Sequence, residues 1–261
     1  MSTVYIATAT HNRLDILKKF VACIEEQTFR NWHLVVVDDG STDGTGEYLD
    51  LVDNVTVLKG NGNLWWGGAL QLIYEWMHVI AADDDILFIS NDDVSYSCNY
   101  IETAVNILGE REKILLSGIG IDVTTGVAVD TPVIYHPEHF NYTKADIGSN
   151  KANCVSTRSL FLKVSTMKYI GGFHPILLPH YGSDYEWTIR ACRKGCSIES
   201  SEQLSYSFDK ETTGIKKLSL KTLFSKKSMY NPIYKVSYLL LTVIPRQIPT
   251  ALSSILRRLF S

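Results

Sequence analysis

Two apolar runs that each lead into a pair of adjacent aspartates constrain the fold of this 261-residue chain most strongly. The two segments are 33–39, which ends in Asp38 and Asp39, and 86–93, which ends in Asp92 and Asp93. A short apolar run bounded by polar residues is typical of a buried strand. Because a helical spacing of apolar residues separates such runs, the pattern predicts a mainly parallel α/β sheet with both acidic pairs at one edge.

The rest of the chain extends this α/β pattern. Apolar spacing and turn residues predict strands at 4–9, 33–37, 55–58, 86–90, 114–121 and 153–157, and helices at 14–24, from 46, 70–80, 100–109, 159–169 and 188–194. Between 122 and 150 the helical period disappears, so irregular or antiparallel structure is expected to cover the site.

The Asp92–Asp93 pair has two interpretations. Adjacent carboxylates repel each other unless a positive group lies beside them, and a hard divalent cation with oxygen ligands would serve. A polar turn also accounts for the pair, because aspartate is a common turn residue.

Two further stretches are candidates for chemistry. In 60–69, four glycines surround Trp65 and Trp66; they would let the backbone approach a ligand, and the helix that follows would present its N-terminal amides to an anion. Asp184 precedes another predicted helix. It is either an N-terminal cap or, if that helix docks under the acidic edge, a base that faces the cleft.

Taken together, the motifs resemble glycosyltransferase family 2 over roughly residues 4 to 200. The motifs that carry the resemblance are Thr10-His11-Asn12-Arg13, Asp38-Asp39-Gly40-Ser41-Thr42-Asp43, Asn91-Asp92-Asp93, Gly171-Gly172-Phe173 and Ser183-Asp184. Five motifs in the right order are far more specific than one. The resemblance implies an inverting, nucleotide-sugar-dependent enzyme of the GT-A fold, similar to members that build bacterial surface polysaccharides, including rhamnosyltransferases.

On the donor side, the resemblance implies that Asp39 accepts a hydrogen bond from the imide of a uracil or thymine ring. The turn with Thr10, Asn12 and Arg13 would lie along the nucleoside, and Arg13 would reach the base or phosphate. Asp92 would face the ribose or donor sugar. The nucleotide-binding set also includes Gly67.

The resemblance also implies the catalytic groups. Asp184 would be the general base, and Asp93 would bind Mn²⁺ or Mg²⁺ together with the diphosphate. Asn91 stands where the family usually has an acidic residue. Asp209 would substitute for a late histidine that this chain lacks. The pocket for donor and acceptor would be lined by Trp65, Trp66, His180, Tyr181 and Glu186.

The composition limits the classes of partner and the cellular compartment that we expect. A net charge of −3 gives no reason to expect a nucleic acid, and five scattered cysteines lack the spacing of a zinc site or a disulfide framework. They favour a reducing compartment. The start of the sequence shows neither a basic segment nor an apolar signal region, so we expect a cytoplasmic protein.

We expect a catalytic domain at 1–214, with a nucleotide-binding half at about 1–95 and an acceptor half at about 96–214, and a helical tail at 215–261. The tail is basic and has no acidic residue. Its longest apolar run, 236–244, is too short for a bilayer span of about 20 residues. The composition favours a helix on the anionic cytoplasmic face of the inner membrane; the alternatives are a helix packed back on the domain and a homo-oligomer contact.

The sequence therefore favours transfer from a UDP- or dTDP-linked sugar, such as dTDP-rhamnose, to a glycan or lipid-linked acceptor in O-antigen or capsule synthesis. Two alternatives are a nucleotidyltransferase with a related sheet and a nucleotide-sugar-binding protein with impaired catalysis. The first would need a glycine-rich loop after the first strand, where this chain has Thr10-His11-Asn12-Arg13.

Overall fold

The computed structural model describes residues 2–149, 151–209, 224–226, 228 and 231–259. The strands are β1 (Val4–Thr10), β2 (Trp32–Asp38), β3 (Val55–Lys59), β4 (Ile86–Ser90), β5 (Val94–Ser95), β6 (Ile114–Asp122), β7 (Ala128–Asp130), β8 (Val133–His136), β9 (Asn141–Lys144), β10 (Ser159–Lys163) and β11 (Ser197–Phe208). The helices are α1 (Leu14–Glu25), α2 (Thr45–Leu49), α3 (Trp65–Ile80), α4 (Tyr100–Leu108), α5 (Val164–Ile170), α6 (Ser183–Arg193), α7 (Pro232–Thr242) and α8 (Ile248–Leu259), with a 3₁₀ turn at Pro245–Gln247.

Most of the strands form one mixed sheet in the order β3-β2-β1-β4-β10-β6-β11-β5, with β7 paired to β6. β1, β2, β3 and β4 run parallel, and β10 lies antiparallel between β4 and β6. The carboxyl ends of β1, β2 and β4 therefore meet at one edge, as the sequence predicts. The expected α/β class is confirmed.

Helices cover both faces of this sheet because its central strands are apolar on both sides. In β4, Ile86 and Phe88 pack with α1 and α4, whereas Leu87 and Ile89 pack with α3, α5 and α6. This alternation follows the two-residue period of a strand.

Two sequence predictions of local structure are wrong. The helix expected at 159–169 is a strand followed by a helix, β10 and α5, because the first five residues are all buried between β4 and β6. The strand expected at 153–157 makes only an isolated bridge between Cys154 and Val133. Helix α3 also begins at Trp65, five residues before its expected start at 70.

Helix α7 packs against the preceding part of the chain through one of its faces. Tyr238 and Leu239 of this helix are buried, and the Tyr135 hydroxyl lies 3.0 Å from Thr242 Oγ1. The opposite face exposes Ile233, Val236 and Leu240. The basic residues at 216, 217, 221 and 227 lie outside the described part of the chain. No helix in the described part is both long and apolar enough to span a membrane.

Candidate active site

A cleft of about 590 Å³ opens at the sheet edge where β1 and β4 end. Its walls come from both halves of the chain and bring together several predicted site residues. The lining residues are Ala9, Arg13, Ile16, Trp66, Asn91, Asp92, Asp93, Ser156, Thr157, Arg158, His180, Tyr181 and Asp184.

The Arg13 guanidinium bridges the two adjacent aspartates. Its two terminal nitrogens lie 2.7 Å from Asp92 Oδ1 and 3.1 Å from Asp93 Oδ2. Asp92 is buried, and this burial raises its pKa to about 6; Arg13 opposes the rise and the charge of Asp93 adds to it. The positive group that the acidic pair requires is thus supplied, at least in part, by the protein itself. The sequence placed Arg13 on the base or phosphate and did not anticipate this pairing.

Asp184 lies in the first turn of α6 and lines the same cleft. Burial raises its pKa to about 6, the amide of Tyr185 opposes the rise, and the negative charge of Asp130 adds to it. Its Oδ1 accepts the Tyr185 N–H at 2.9 Å. Such a carboxylate is mostly ionised at neutral pH yet more basic than an ordinary aspartate, which suits a general base.

Asp39, in contrast, is engaged by the backbone. Its carboxylate accepts the N–H groups of Gly62, Leu64 and Trp65 at 2.8, 2.9 and 3.2 Å. Gly60 lies so close that an added Cβ would come within 2.5 Å of Asp39 Oδ1. The carboxylate therefore organises the start of α3, a role that sequence reasoning did not assign to it.

Gly67 lets the start of α3 pack closely against the backbone at 178–179. Its N–H donates to the carbonyl of Pro179 at 2.8 Å, and an added Cβ would lie 2.3 Å from the carbonyl oxygen of Leu178. Its amide is therefore already used inside the protein, and the structure places it against the 178–179 backbone, outside the cleft lining. A contact of Gly67 with a nucleotide stays a prediction.

Three other predicted residues are not among those that line the cleft. Thr10 is buried at the end of β1. Asn12 links the turn after β1 to the loop after β2, since its Oδ1 accepts the Thr42 N–H at 2.7 Å. Trp65 packs edge-on against His180, with ring centroids 5.7 Å apart.

The predicted pocket residues divide into two groups. Trp66, His180 and Tyr181 line the cleft. Glu186 is not among the lining residues; it is buried and pairs with Arg190 at 2.8 Å. Its role in the pocket stays a prediction.

Asp209 is exposed just beyond the end of β11. Among the described residues, no group of three or more histidine, cysteine, aspartate or glutamate side chains could hold a metal ion. A role for Asp209 as a metal ligand stays a prediction.

Sequence reasoning missed the segment Ser156–Thr157–Arg158. Thr157 Oγ1 accepts the Trp66 indole N–H at 3.1 Å, and the Thr157 backbone also lowers the pKa of Asp184. Arg158 and Ser156 both contact Asp130. The only signal in the sequence was the strand predicted at 153–157, which contains the first two of these residues.

Parts of this chain are similar to known proteins. The profile described as Glycosyl transferase family 2 matches residues 5–169. Glycosyltransferase GlyG of Streptococcus pneumoniae is 34% identical over an alignment of 108 residues, and the alignment covers 39% of this chain and 34% of that protein. The chain therefore matches about a third of the length of this relative.

Two solved structures share the fold. GalNAc-T7 with UDP, GalNAc and Mn²⁺ aligns with a TM-score of 0.68 at 11% identity, over 97% of this chain and 54% of that one. The mannosyltransferase PcManGT from Pyrobaculum calidifontis, with GDP-Man and Mn²⁺, aligns with a TM-score of 0.55 at 15% identity, over 99% and 75%. At these identities the likeness shows the fold alone, and the predicted GT-A fold is confirmed.

Proposed function

Because this chain belongs to glycosyl transferase family 2, we propose that it is a glycosyltransferase whose cleft moves a sugar, with inversion, from a nucleoside diphosphate sugar to a hydroxyl group of an acceptor. The observation that carries this proposal is the shared cleft of Asp184 and the Arg13–Asp92–Asp93 group. These residues are far apart in the sequence, and their meeting at a ligand-binding sheet edge supports a common reaction.

In the proposed reaction, Asp184 accepts the proton of the acceptor hydroxyl. The hydroxyl oxygen forms a bond to the anomeric carbon from one face while the bond to the diphosphate breaks on the other. The configuration is inverted, and the nucleoside diphosphate leaves with the electron pair. Base assistance of this kind contributes on the order of 10²–10⁴-fold.

The charge of the cleft supports a divalent cation. Three carboxylates and two guanidinium groups line it, and a diphosphate would add further negative charge. Mg²⁺ and similar ions are commonly held by one or two carboxylates plus substrate phosphates. Asp93, whose side chain is 12% exposed, fits this pattern, with Asp92 behind it. A bound Mn²⁺ or Mg²⁺ would neutralise charge on the leaving group. GalNAc-T7 and PcManGT both hold Mn²⁺ with their ligands.

For the donor we propose a UDP- or dTDP-linked sugar, with dTDP-rhamnose as one candidate. An ionised carboxylate has about four acceptor sites. Three backbone amides engage Asp39, which leaves room for one more hydrogen bond, such as that from the imide of uracil or thymine. Thr10 and Asn12 would shape the nucleoside side of the cleft, and Trp66, His180 and Tyr181 the sugar side.

We further propose a glycan or lipid-linked acceptor of bacterial surface-polysaccharide synthesis, such as O-antigen or capsule, at the cytoplasmic face of the inner membrane. The exposed apolar stripe of Ile233, Val236 and Leu240 on α7, with Lys235 beside it, supports contact with an anionic lipid surface. The same stripe could instead join two copies of the chain, and sedimentation with and without anionic vesicles separates these outcomes.

A thermal-shift panel tests the donor class. UDP, dTDP, GDP and their sugars would be added with and without Mn²⁺. Ligands that bind the folded state raise the melting temperature, so we expect UDP or dTDP to raise it, with a larger rise when Mn²⁺ is present. A response to GDP alone would contradict the role of Asp39, and no response to any nucleotide would contradict the proposed function.

A further inference from the structure

Arg158 is a second cation in the cleft, and no sequence motif marks it. It lies just before β10, and its backbone carbonyl accepts the N–H of Asn91 at 3.2 Å. This bond fixes Arg158 beside the Asp92–Asp93 pair. The residue therefore stands where the donor side of the cleft meets the side that carries Asp184.

Asp130 anchors the Arg158 side chain. Arg158 Nε lies 3.5 Å from Asp130 Oδ2. The same carboxylate accepts the Ser156 hydroxyl at 2.9 and 3.0 Å and the Tyr206 hydroxyl at 2.8 Å. With three side chains around it, Asp130 is fixed, and it fixes the guanidinium in turn.

An aromatic ring also contacts the Arg158 guanidinium. The guanidinium carbon of Arg158 lies 4.1 Å from the centroid of the Phe208 ring, at a distance typical of a cation–π contact. Within the described part of the chain, the contacts of this group thus use Nε and its flat face. Its terminal nitrogens remain for a ligand in the cleft, and the side chain is 17% exposed.

Arg13 and Arg158 differ in how far carboxylates already satisfy them. Arg13 holds two carboxylates at 2.7 and 3.1 Å, whereas Arg158 has one at 3.5 Å. A planar guanidinium with unused terminal nitrogens matches two phosphate oxygens at once. Of these two cations in the cleft, Arg158 therefore has more capacity for an incoming anion.

We propose that Arg158 binds the diphosphate of the donor and that Asp130 is the residue that positions it. This inference rests on the proposed function. Binding there would hold the donor against the Asp92–Asp93 pair and would stabilise the charge that grows on the diphosphate as it leaves. The Arg158 guanidinium would thus give the cleft a positive charge that belongs to the protein and does not depend on a bound metal ion. This residue lies in the half of the chain expected to bind the acceptor.

The test measures the affinity of the full chain for UDP, dTDP, UMP and dTMP by titration calorimetry in the presence of Mn²⁺. Loss of a hydrogen bond between charged groups costs on the order of 10- to 100-fold in affinity. We expect Arg158→Gln to weaken UDP or dTDP binding by that factor and to weaken monophosphate binding much less. Arg158→Lys keeps the positive charge but loses the planar pair of terminal nitrogens. Its affinity for UDP or dTDP should therefore lie between those of wild type and Arg158→Gln.

Arg111→Gln is the matched control, because Arg111 also pairs with a carboxylate, that of Glu199 at 2.8 Å, but does so outside the cleft. It should leave all affinities unchanged. If wild-type protein binds no nucleotide, the proposed function itself fails. If wild-type protein binds UDP or dTDP and both Arg158 variants bind it within about twofold, this inference alone is wrong.

A double-mutant cycle separates positioning from general damage. Asp130→Asn should reduce diphosphate affinity less than Arg158→Gln does, and the double variant should be no weaker than Arg158→Gln alone, since Asp130 would act through Arg158. Independent losses that add in the double variant would contradict the positioning role. Melting curves of each variant confirm that the compared proteins are folded.

Discussion

Two carboxylates of the candidate site are held in different ways: Asp184 lines the cleft, whereas Asp39 does not. Asp39 is fixed by three backbone amides of the 62–65 loop, whereas Asp184 accepts one amide at 2.9 Å, and its pKa is raised to about 6. Backbone amides satisfy a carboxylate and make it structural. A less fully satisfied carboxylate keeps its reactivity, at the expense of folding stability.

The sharpest test of this contrast replaces Asp184 with Asn. We expect turnover to fall on the order of 10²–10⁴-fold, because the proton acceptor is lost, while UDP or dTDP binding stays near wild type. Asp146→Asn, at an exposed aspartate of the cover, is the control. Unchanged turnover would remove Asp184 as the base.

The same variant has an expected effect on stability. The folded-state pKa of Asp184 is raised above the unfolded value, so the folded state binds the proton more tightly. Ionisation of this group therefore opposes folding at neutral pH, and the penalty fades as the pH falls through about 6 toward the unfolded pKa. Asp184→Asn should thus unfold at a higher denaturant concentration than wild type at pH 7.

Asp39→Ala should lower the stability of the fold, whereas Asp184→Asn should raise it. Three backbone N–H groups would lose their acceptor, so we expect a loss on the order of 2–4 kcal/mol in the free energy of unfolding. Denaturant titration measures it, with Asp53→Ala at an exposed position as the control. A loss below about 0.5 kcal/mol, the range of ordinary surface substitutions, would show that the amides do not depend on this carboxylate.

The smallest expected effect is a shift in pH dependence. A base must be ionised to act, so kcat/KM should fall as the pH drops through about 6. Because the negative charge of Asp130 raises the pKa of Asp184, Asp130→Asn should move this acidic limb to lower pH. An unmoved limb would separate Asp130 from the titration of the base.

The cleft residues next to β1 and β4 were largely predictable from the sequence, because they follow apolar strands within short motifs. The periodic runs predicted β1, β2 and β4, and the parallel order then placed Arg13 and Asp93 at one edge. Even here, the amides around Asp39 were not predicted, since they depend on how the 60–65 loop folds back.

The contacts around Asp130 and the 156–158 segment were less predictable because they join distant residues. Asp130 meets Ser156 and Tyr206, which are 26 and 76 residues away, and no local pattern encodes such pairs. Periodicity also misread 159–163, where five buried residues suit a helix or a strand equally well until the neighbouring strands are known.

Strand β10 has a consequence for how this protein can be altered. It lies between β4 and β6, and Phe161 stacks on Phe88 with centroids 3.8 Å apart. A slip of one residue would turn Phe161 to the other face and withdraw Arg158 from its place opposite Asn91. Chimaeras that exchange acceptor preference between relatives should therefore carry β10 intact with its lead-in residues, whereas the loop at 123–127 should tolerate changes in length.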